Sequence, residues 1–194
     1  MLARGFLRHV VSSGVGVGPS ELVIMPTAVG RPVLAGPWRR WPSFNVTHTD
    51  ALVAIAVSPV GKVGIDAEIR RSVPQAVSIA RRVLASDEFK VLSAWCPGLP
   101  ADRFTACWVR KEVIAKALGC GLALDLASFS VTLPPRPPRI VRAPVGTQVN
   151  RWQMHELALA ADHVAVLATF DGPTSPPRVR QGVPYSGWDA LRSG

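Results

Sequence analysis

The sequence predicts a mixed α and β protein, and three observations carry that reading. Strand-like segments at 44–48, 51–58 and 62–69 follow one another with short turns between them, as in a β-meander. Apolar positions over 101–118, Phe104, Trp108, Ile114 and Ala115 among them, mark a helix that stops at Gly119. Strand-like segments then return at 128–133 and 163–170, with another at 151–159. The chain of 194 residues is 48% hydrophobic, enough for one compact domain or two small lobes sharing a core.

The remaining elements follow in order. Residues 3–13 place Phe6, Leu7, Val10 and Val11 at helical spacing until Gly14, Gly16 and Gly18 interrupt it, which predicts a short amphipathic helix. Residues 21–25 read as a strand, and Gly30-Arg31-Pro32 as a turn into a loop with Trp38, Trp41 and Pro42. Within the meander, Thr49-Asp50 and Pro59-Val60-Gly61 are the turns. Helices are predicted over 73–83 and 86–95. Ser86 is the expected N-cap of the second, with Asp87 and Glu88 in the first turn, where the helix dipole favours negative charge. Pro97 and Pro100 close this region, and 134–138 is a loop. From Asp171 the apolar periodicity disappears into a proline-rich segment, so residues 172–194 are expected to form a flexible tail.

Charge and cysteine usage narrow the class. The net charge is +9 with a pI near 10.7, and only Lys62, Lys90, Lys111 and Lys116 are lysines; a basic surface implies an acidic partner. Nucleic acid is not the expected one, because no Lys/Arg run is interleaved with aromatics and no finger, basic zipper or RNA-binding signature is present. Cys96, Cys107 and Cys120 are odd in number and lack a C-x-x-C spacing, which speaks against a disulfide framework or a thiolate zinc site. No apolar run reaches the ~20 residues of a membrane span. A cytoplasmic chain without a membrane segment is expected.

Two acidic motifs carry the chemistry. Residues two apart on a strand face the same side, so Asp66 and Glu68 project together while Ile65 and Ala67 face the core. Adjacent carboxylates repel unless a cation or a proton joins them; the plainer alternative is a solvated face paired with Arg70 or Arg71. On the predicted helix, Glu112 and Lys116 stand at i, i+4 with Lys111 beside them, which alone would equally describe a surface ion pair. Taken together, the motifs supply hard oxygen ligands suited to Mg²⁺ and lysines suited to phosphate charge. His48 on the neighbouring strand is either a further phosphate donor or a structural residue. Gly14-Val15-Gly16-Val17-Gly18 lacks the Lys-Ser/Thr ending of a P-loop and reads as a turn.

Four blocks in order resemble the 4'-phosphopantetheinyl transferases of the type that activates peptide and polyketide synthetases. Gly30-Arg31-Pro32 is similar to that family's Gly-Lys/Arg-Pro, and Phe44-Asn45-Val46-Thr47-His48-Thr49 to its Phe-Asn-x-Ser-His-Ser/Thr. Val63-Gly64-Ile65-Asp66-Ala67-Glu68 and Phe104-x-x-x-Trp108-x-x-Lys111-Glu112-x-x-x-Lys116-x-x-Gly119-x-Gly121-Leu122 complete the set. The resemblance implies an α+β fold of two similar lobes related by a pseudo-twofold, each a small antiparallel sheet packed on a helix. The boundaries would be 1–62 for a shortened N-terminal lobe, lacking the family's usual first strand and helix, and 63–171 for a C-terminal lobe with the metal site. It also implies Mg²⁺-dependent transfer of phosphopantetheine from coenzyme A to a serine of an acyl or peptidyl carrier protein, with release of adenosine 3',5'-bisphosphate by a monomer. Asp66, Glu68 and Glu112 would hold the metal, Glu112 and Lys116 would be catalytic, and Arg31, Thr47, His48, Lys111 and Lys116 would bind coenzyme A. The alternatives are a catalytically impaired homologue that binds coenzyme A or a carrier, and a basic nucleic-acid module.

Overall fold

The computed structural model describes residues 2–40, 43–70, 75–95 and 101–181. Trp41 and Pro42, the start of the helix expected at 73, Arg71, Cys96, Pro97, Pro100 and the tail from 182 onward lie outside the described residues. The elements in order are α1 (Leu2–Val15), β1 (Ile24–Pro26), β2 (Pro32–Leu34), β3 (Ser43–His48), β4 (Val53–Ser58), β5 (Lys62–Ile69), α2 (Ala76–Val83), α3 (Ser86–Trp95) and α4 (Ala101–Leu118). They are followed by β6 (Ser130–Val131), β7 (Ile140–Arg142), β8 (Trp152–Glu156) and β9 (His163–Phe170). Every pairing described is antiparallel: β1–β2, β3–β4 and β6–β7 are two-stranded, and β5-β9-β8 is a three-stranded sheet. The protein is α+β.

The apolar run of β9 explains the layering. All eight of its residues are buried, as happens when a strand is covered on both faces. Val164, Val166, Ala168 and Phe170 belong to the core that α4 builds with Cys107, Val113, Ile114 and Ala117. The alternate residues, Ala165 and Leu167, meet Val63, Ile65 and Ala67 of β5 together with Ala54 and Ala56 of β4. On its far side the β3–β4 hairpin contributes Phe44 and Ile55 to a third cluster with Leu7 and Val11 of α1. Each lobe is therefore a small antiparallel sheet packed on a helix, and the two sheets are joined through the second cluster.

The seam between the lobes is polar as well as apolar. Strand β5 is an edge of its sheet, and edge N–H groups need partners when buried. Alternate residues of β3 supply them: Ser43 Oγ accepts from the Val63 N–H at 3.1 Å and Asn45 Oδ1 from the Ile65 N–H at 2.9 Å. The next residue at that spacing, Thr47, reaches Asp66. Side-chain periodicity on one strand thus fixes the register of the other.

Local expectations shift at element ends. Ser86 is the first residue of α3 rather than its cap; the N–H of Ala85 is satisfied by Glu88 Oε2 at 2.7 Å, the reciprocal half of a capping box. Strand β2 arises where the sequence predicts only a turn and a loop, β7 lies where it predicts no element, and the strand expected over 151–159 is confined to Trp152–Glu156.

Gly64 sets the distance between β5 and α4. A Cβ built there would lie 2.2 Å from the Val113 carbonyl oxygen and 2.6 Å from the Ala117 nitrogen. Both are helix backbone, which cannot turn aside as a side chain can. Gly64→Ala is expected to destabilise the protein by about 3 kcal/mol, the upper end for overpacking a core. Urea denaturation would show it as a lowered midpoint with an unchanged slope.

Candidate active site

Packing of α4 on β5 brings the two acidic motifs together. Asp66 faces α4 on the same side of the strand as Gly64 and Glu68, and is only 3% exposed. Lys116 Nζ donates to Asp66 Oδ1 at 2.6 Å and to Thr47 Oγ1 at 3.3 Å, while the Thr47 hydroxyl donates to the same Asp66 oxygen at 3.2 Å. Three elements from both lobes therefore converge on one carboxylate. The ammonium of Lys116 goes to Asp66 rather than to Glu112, so the plainer reading of a surface i, i+4 pair does not describe it.

Asp66 Oδ2, in contrast, is buried without a hydrogen-bond partner among the described residues. An unmatched buried carboxylate oxygen is costly and marks a place where a cation or donor belongs. Glu112 shares the same field. Burial first, then the charge of Asp66 and, more weakly, that of Glu68 raise its pKa above the usual carboxylate value, against the lowering effect of Lys116. Among the described residues no three His, Cys, Asp or Glu side chains are drawn close enough to ligate a metal. Glu112 feels the charge of both other carboxylates although the three have not converged.

A raised carboxylate pKa means that Glu112 binds a proton more tightly in the folded chain than in the unfolded one. Its favourable contribution to stability is fully present below the ordinary Glu pKa and is lost as pH rises through the higher folded value. Glu112→Gln should therefore raise the melting temperature at neutral pH, with the gain shrinking towards acid pH. Thermal unfolding from pH 4 to 8 checks the sign.

The other expected site residues divide. Thr47 joins the cluster. His48 is exposed and points to the opposite face of β3, by strand alternation, so it does not join it. Lys111 corrects the expectation of a coenzyme A contact: it is fully buried, its Nζ donating to the Leu126 and Phe129 carbonyls at 2.8 Å each and pairing with Glu88 Oε2 at 2.7 Å. It also lies over the Phe129 ring, 4.5 Å from the centroid. A helix turns about 100° per residue, so Lys111 faces the interior while Glu112 faces the seam. The Arg31 guanidinium reaches backbone of both lobes, donating to the carbonyl oxygens of Ala117 and Phe44.

Sequence reasoning passed over three contributors. Glu88 was visible only as a first-turn acid, although its spacing from Ala85 is that of a capping box. Asn45 carries no charge and shows its role only once β5 lies alongside. His163 joins the end of β3 to β9, with Nε2 2.9 Å from Thr49 Oγ1 and Nδ1 2.7 Å from Asp162 Oδ1. That bond to His163 holds the Asp162 carboxyl below its usual pKa. Cys107 is no nucleophile, since burial, followed by the Glu88 charge, pushes its thiol up to about 12.

A buried carboxylate with a lysine on one oxygen and nothing on the other, beside a second carboxyl of raised pKa, has the marks of a functional site. Residues 62–168, from β5 through most of β9, match the model of the 4'-phosphopantetheinyl transferase superfamily, and the chain belongs to that superfamily. It is 28% identical over 167 residues to the 4'-phosphopantetheinyl transferase HetI of Nostoc sp., covering 85% of this chain and 68% of that protein. It is 31% identical over 127 residues to the 4'-phosphopantetheinyl transferase of Bacillus subtilis, covering 66% and 54%. With the human L-aminoadipate-semialdehyde dehydrogenase-phosphopantetheinyl transferase it shares 28% identity over 145 residues, covering 70% and 47%. The chain thus spans about half to two thirds of the length of these relatives.

Proposed function

We propose that this protein transfers 4'-phosphopantetheine from coenzyme A to a serine hydroxyl of an acyl or peptidyl carrier protein, with Mg²⁺, releasing adenosine 3',5'-bisphosphate. The observation that carries the reading is Asp66, buried at the seam with Lys116 on one oxygen and its other oxygen unmatched. Mg²⁺ fits these residues: oxygen donors suit a hard cation, and the cation would answer the orphaned Oδ2 as well as the burial and, after it, the carboxylate repulsion that raise Glu112. Asp66, Glu68 and Glu112 would hold it. When bound, it supplies positive charge to the pyrophosphate of the donor.

The chain's own residues do the rest. Lys116 is 27% exposed at its side chain, so its ammonium can turn from Asp66 towards a phosphate and stabilise the departing one. Thr47 offers its hydroxyl from β3, and His48 is exposed one residue further along the strand, where it can meet solvent-side phosphate. Glu112 takes the proton of the attacking serine, from its place at the seam beside Asp66 and Lys116. The serine oxygen forms a bond to the phosphorus that carries pantetheine, and the bond from that phosphorus to the bridging oxygen breaks. No covalent enzyme intermediate is needed. A net charge of +9 suits an acidic carrier, and the enzyme is read as a cytoplasmic monomer.

The test is release of adenosine 3',5'-bisphosphate from coenzyme A by the purified chain. Release should require both an apo carrier protein and Mg²⁺ and should stop on chelation. Tight coenzyme A binding without release, across a panel of carriers, would instead make the chain a binding module.

A further inference from the structure

Strand β3 turns every second side chain towards the second lobe. Ser43 and Asn45 accept from backbone N–H groups of β5, and Thr47 donates to Asp66. Thr49, next in that series, lies just beyond the strand and carries the alternation on: its Oγ1 is 2.9 Å from Nε2 of His163. Its own N–H donates to the Leu52 carbonyl at 2.8 Å and closes the turn from β3 into β4.

The imidazole that meets Thr49 is itself fixed. His163 opens β9, pairs with Ile69 of β5, and has a side chain only 2% exposed. Its N–H donates to the Ala160 carbonyl at 3.2 Å, and the Asp162 carbonyl accepts from the Arg70 N–H at 2.7 Å. Nδ1 lies 2.7 Å from Asp162 Oδ1. An ionised carboxylate only accepts, so the ring proton sits on Nδ1, and the neutral imidazole offers Nε2 to the Thr49 hydroxyl; the tautomer is assigned from these partners. A buried imidazole with both nitrogens matched is ordinarily a support of the core. This one grips a strand whose two preceding residues, Thr47 and His48, are the phosphate contacts of the proposed function.

We propose that His163 is a positioning residue for coenzyme A: through Thr49 it holds the end of β3 against the second lobe, and so sets where Thr47 and His48 meet the phosphates of the donor. Too deeply buried to touch the coenzyme, it acts only through that strand. The inference rests on the proposed transfer reaction.

The experiment compares His163→Phe, Thr49→Val and Thr49→Ser with the unvaried chain in steady-state transfer. The first two remove the bond and are expected to raise KM for coenzyme A by about fivefold, the worth of one hydrogen bond. Both kcat and the KM for the carrier should stay within about twofold, as when binding is lost equally from the ground and transition states. Thr49→Ser keeps a hydroxyl and should hold KM near that of the unvaried chain. The double variant His163→Phe, Thr49→Val should be no worse than either single one, because both remove the same contact. An unchanged KM beside a lowered melting temperature would make His163 a support of the fold and overturn the proposal. So would additive losses in the double variant, which would put Thr49 on the phosphate by itself. Should His163→Phe fail to fold, amide exchange in Thr49→Val decides without any ligand. The Thr47 and His48 amides should exchange about fivefold faster than in the unvaried chain; unchanged exchange there overturns the proposal. An unvaried chain that transfers nothing counts against the transfer reading, while amide exchange still tests the grip on β3.

Discussion

Asp66→Asn is expected to lower transfer about 10³-fold while the protein stays folded. The amide keeps the size and shape of the carboxylate, so packing against α4 is preserved. What disappears is the negative charge that pairs with Lys116 at 2.6 Å and that leaves one oxygen open to a cation. Removing one preorganised charge partner from a water-poor site commonly costs 10²–10³ in rate, and here a metal ligand and the anchor of a lysine are lost together. Lys116 is partly exposed and can relax towards Glu112 one turn back on the same helix face, so the fold tolerates the change. Lys116→Ala should fall by about 10²-fold, because it removes the phosphate contact and leaves the carboxylates in place. Steady-state kinetics beside melting curves separate lost catalysis from lost structure.

Lys111→Met has the opposite signature, a loss of structure. The Lys111–Glu88 pair is sealed from solvent, with side-chain exposures of 0% and 2%. Glu88 is wired further, accepting from the Ala85 N–H and from the Val131 N–H at 2.7 Å each, so it ties the start of α3 to β6 while Lys111 holds α4. Removing the lysine leaves a buried charge uncompensated, which costs about 3–5 kcal/mol in domains whose whole stability is about 5–15 kcal/mol. Adding Glu88→Gln should recover part of the loss, since a matched neutral pair is cheaper than one stranded ion. A double-mutant cycle in urea measures the coupling. Full stability in Lys111→Met would mean that the residue is not the interior support described.

The same two lysines show where sequence reading stops. Period-two alternation placed Asp66 and Glu68 on one face of a strand, and helical spacing placed Lys116 one turn beyond Glu112; both appear in β5 and α4. The continuous apolar run of β9 was also legible, because a strand buried on both faces has its own pattern. Nothing local, however, distinguished Lys111 from Lys116. Which lysine turns inward depends on where Glu88, Leu126 and Phe129 end up, and those partners come from other elements. Arg31 illustrates the same limit more sharply, since the carbonyl it meets on Ala117 is 86 residues away in sequence. Strands β2 and β7, three residues each, are too short for any periodicity to register.

The central claim is that the Asp66, Glu112 and Lys116 cluster moves a phosphopantetheine group. Intact-mass spectrometry of apo carrier proteins incubated with the full chain, coenzyme A and Mg²⁺ tests it most directly. The account predicts a carrier heavier by one phosphopantetheine, with no gain when the Asp66→Asn chain replaces the unvaried one; carriers that keep their mass across the whole panel would contradict it.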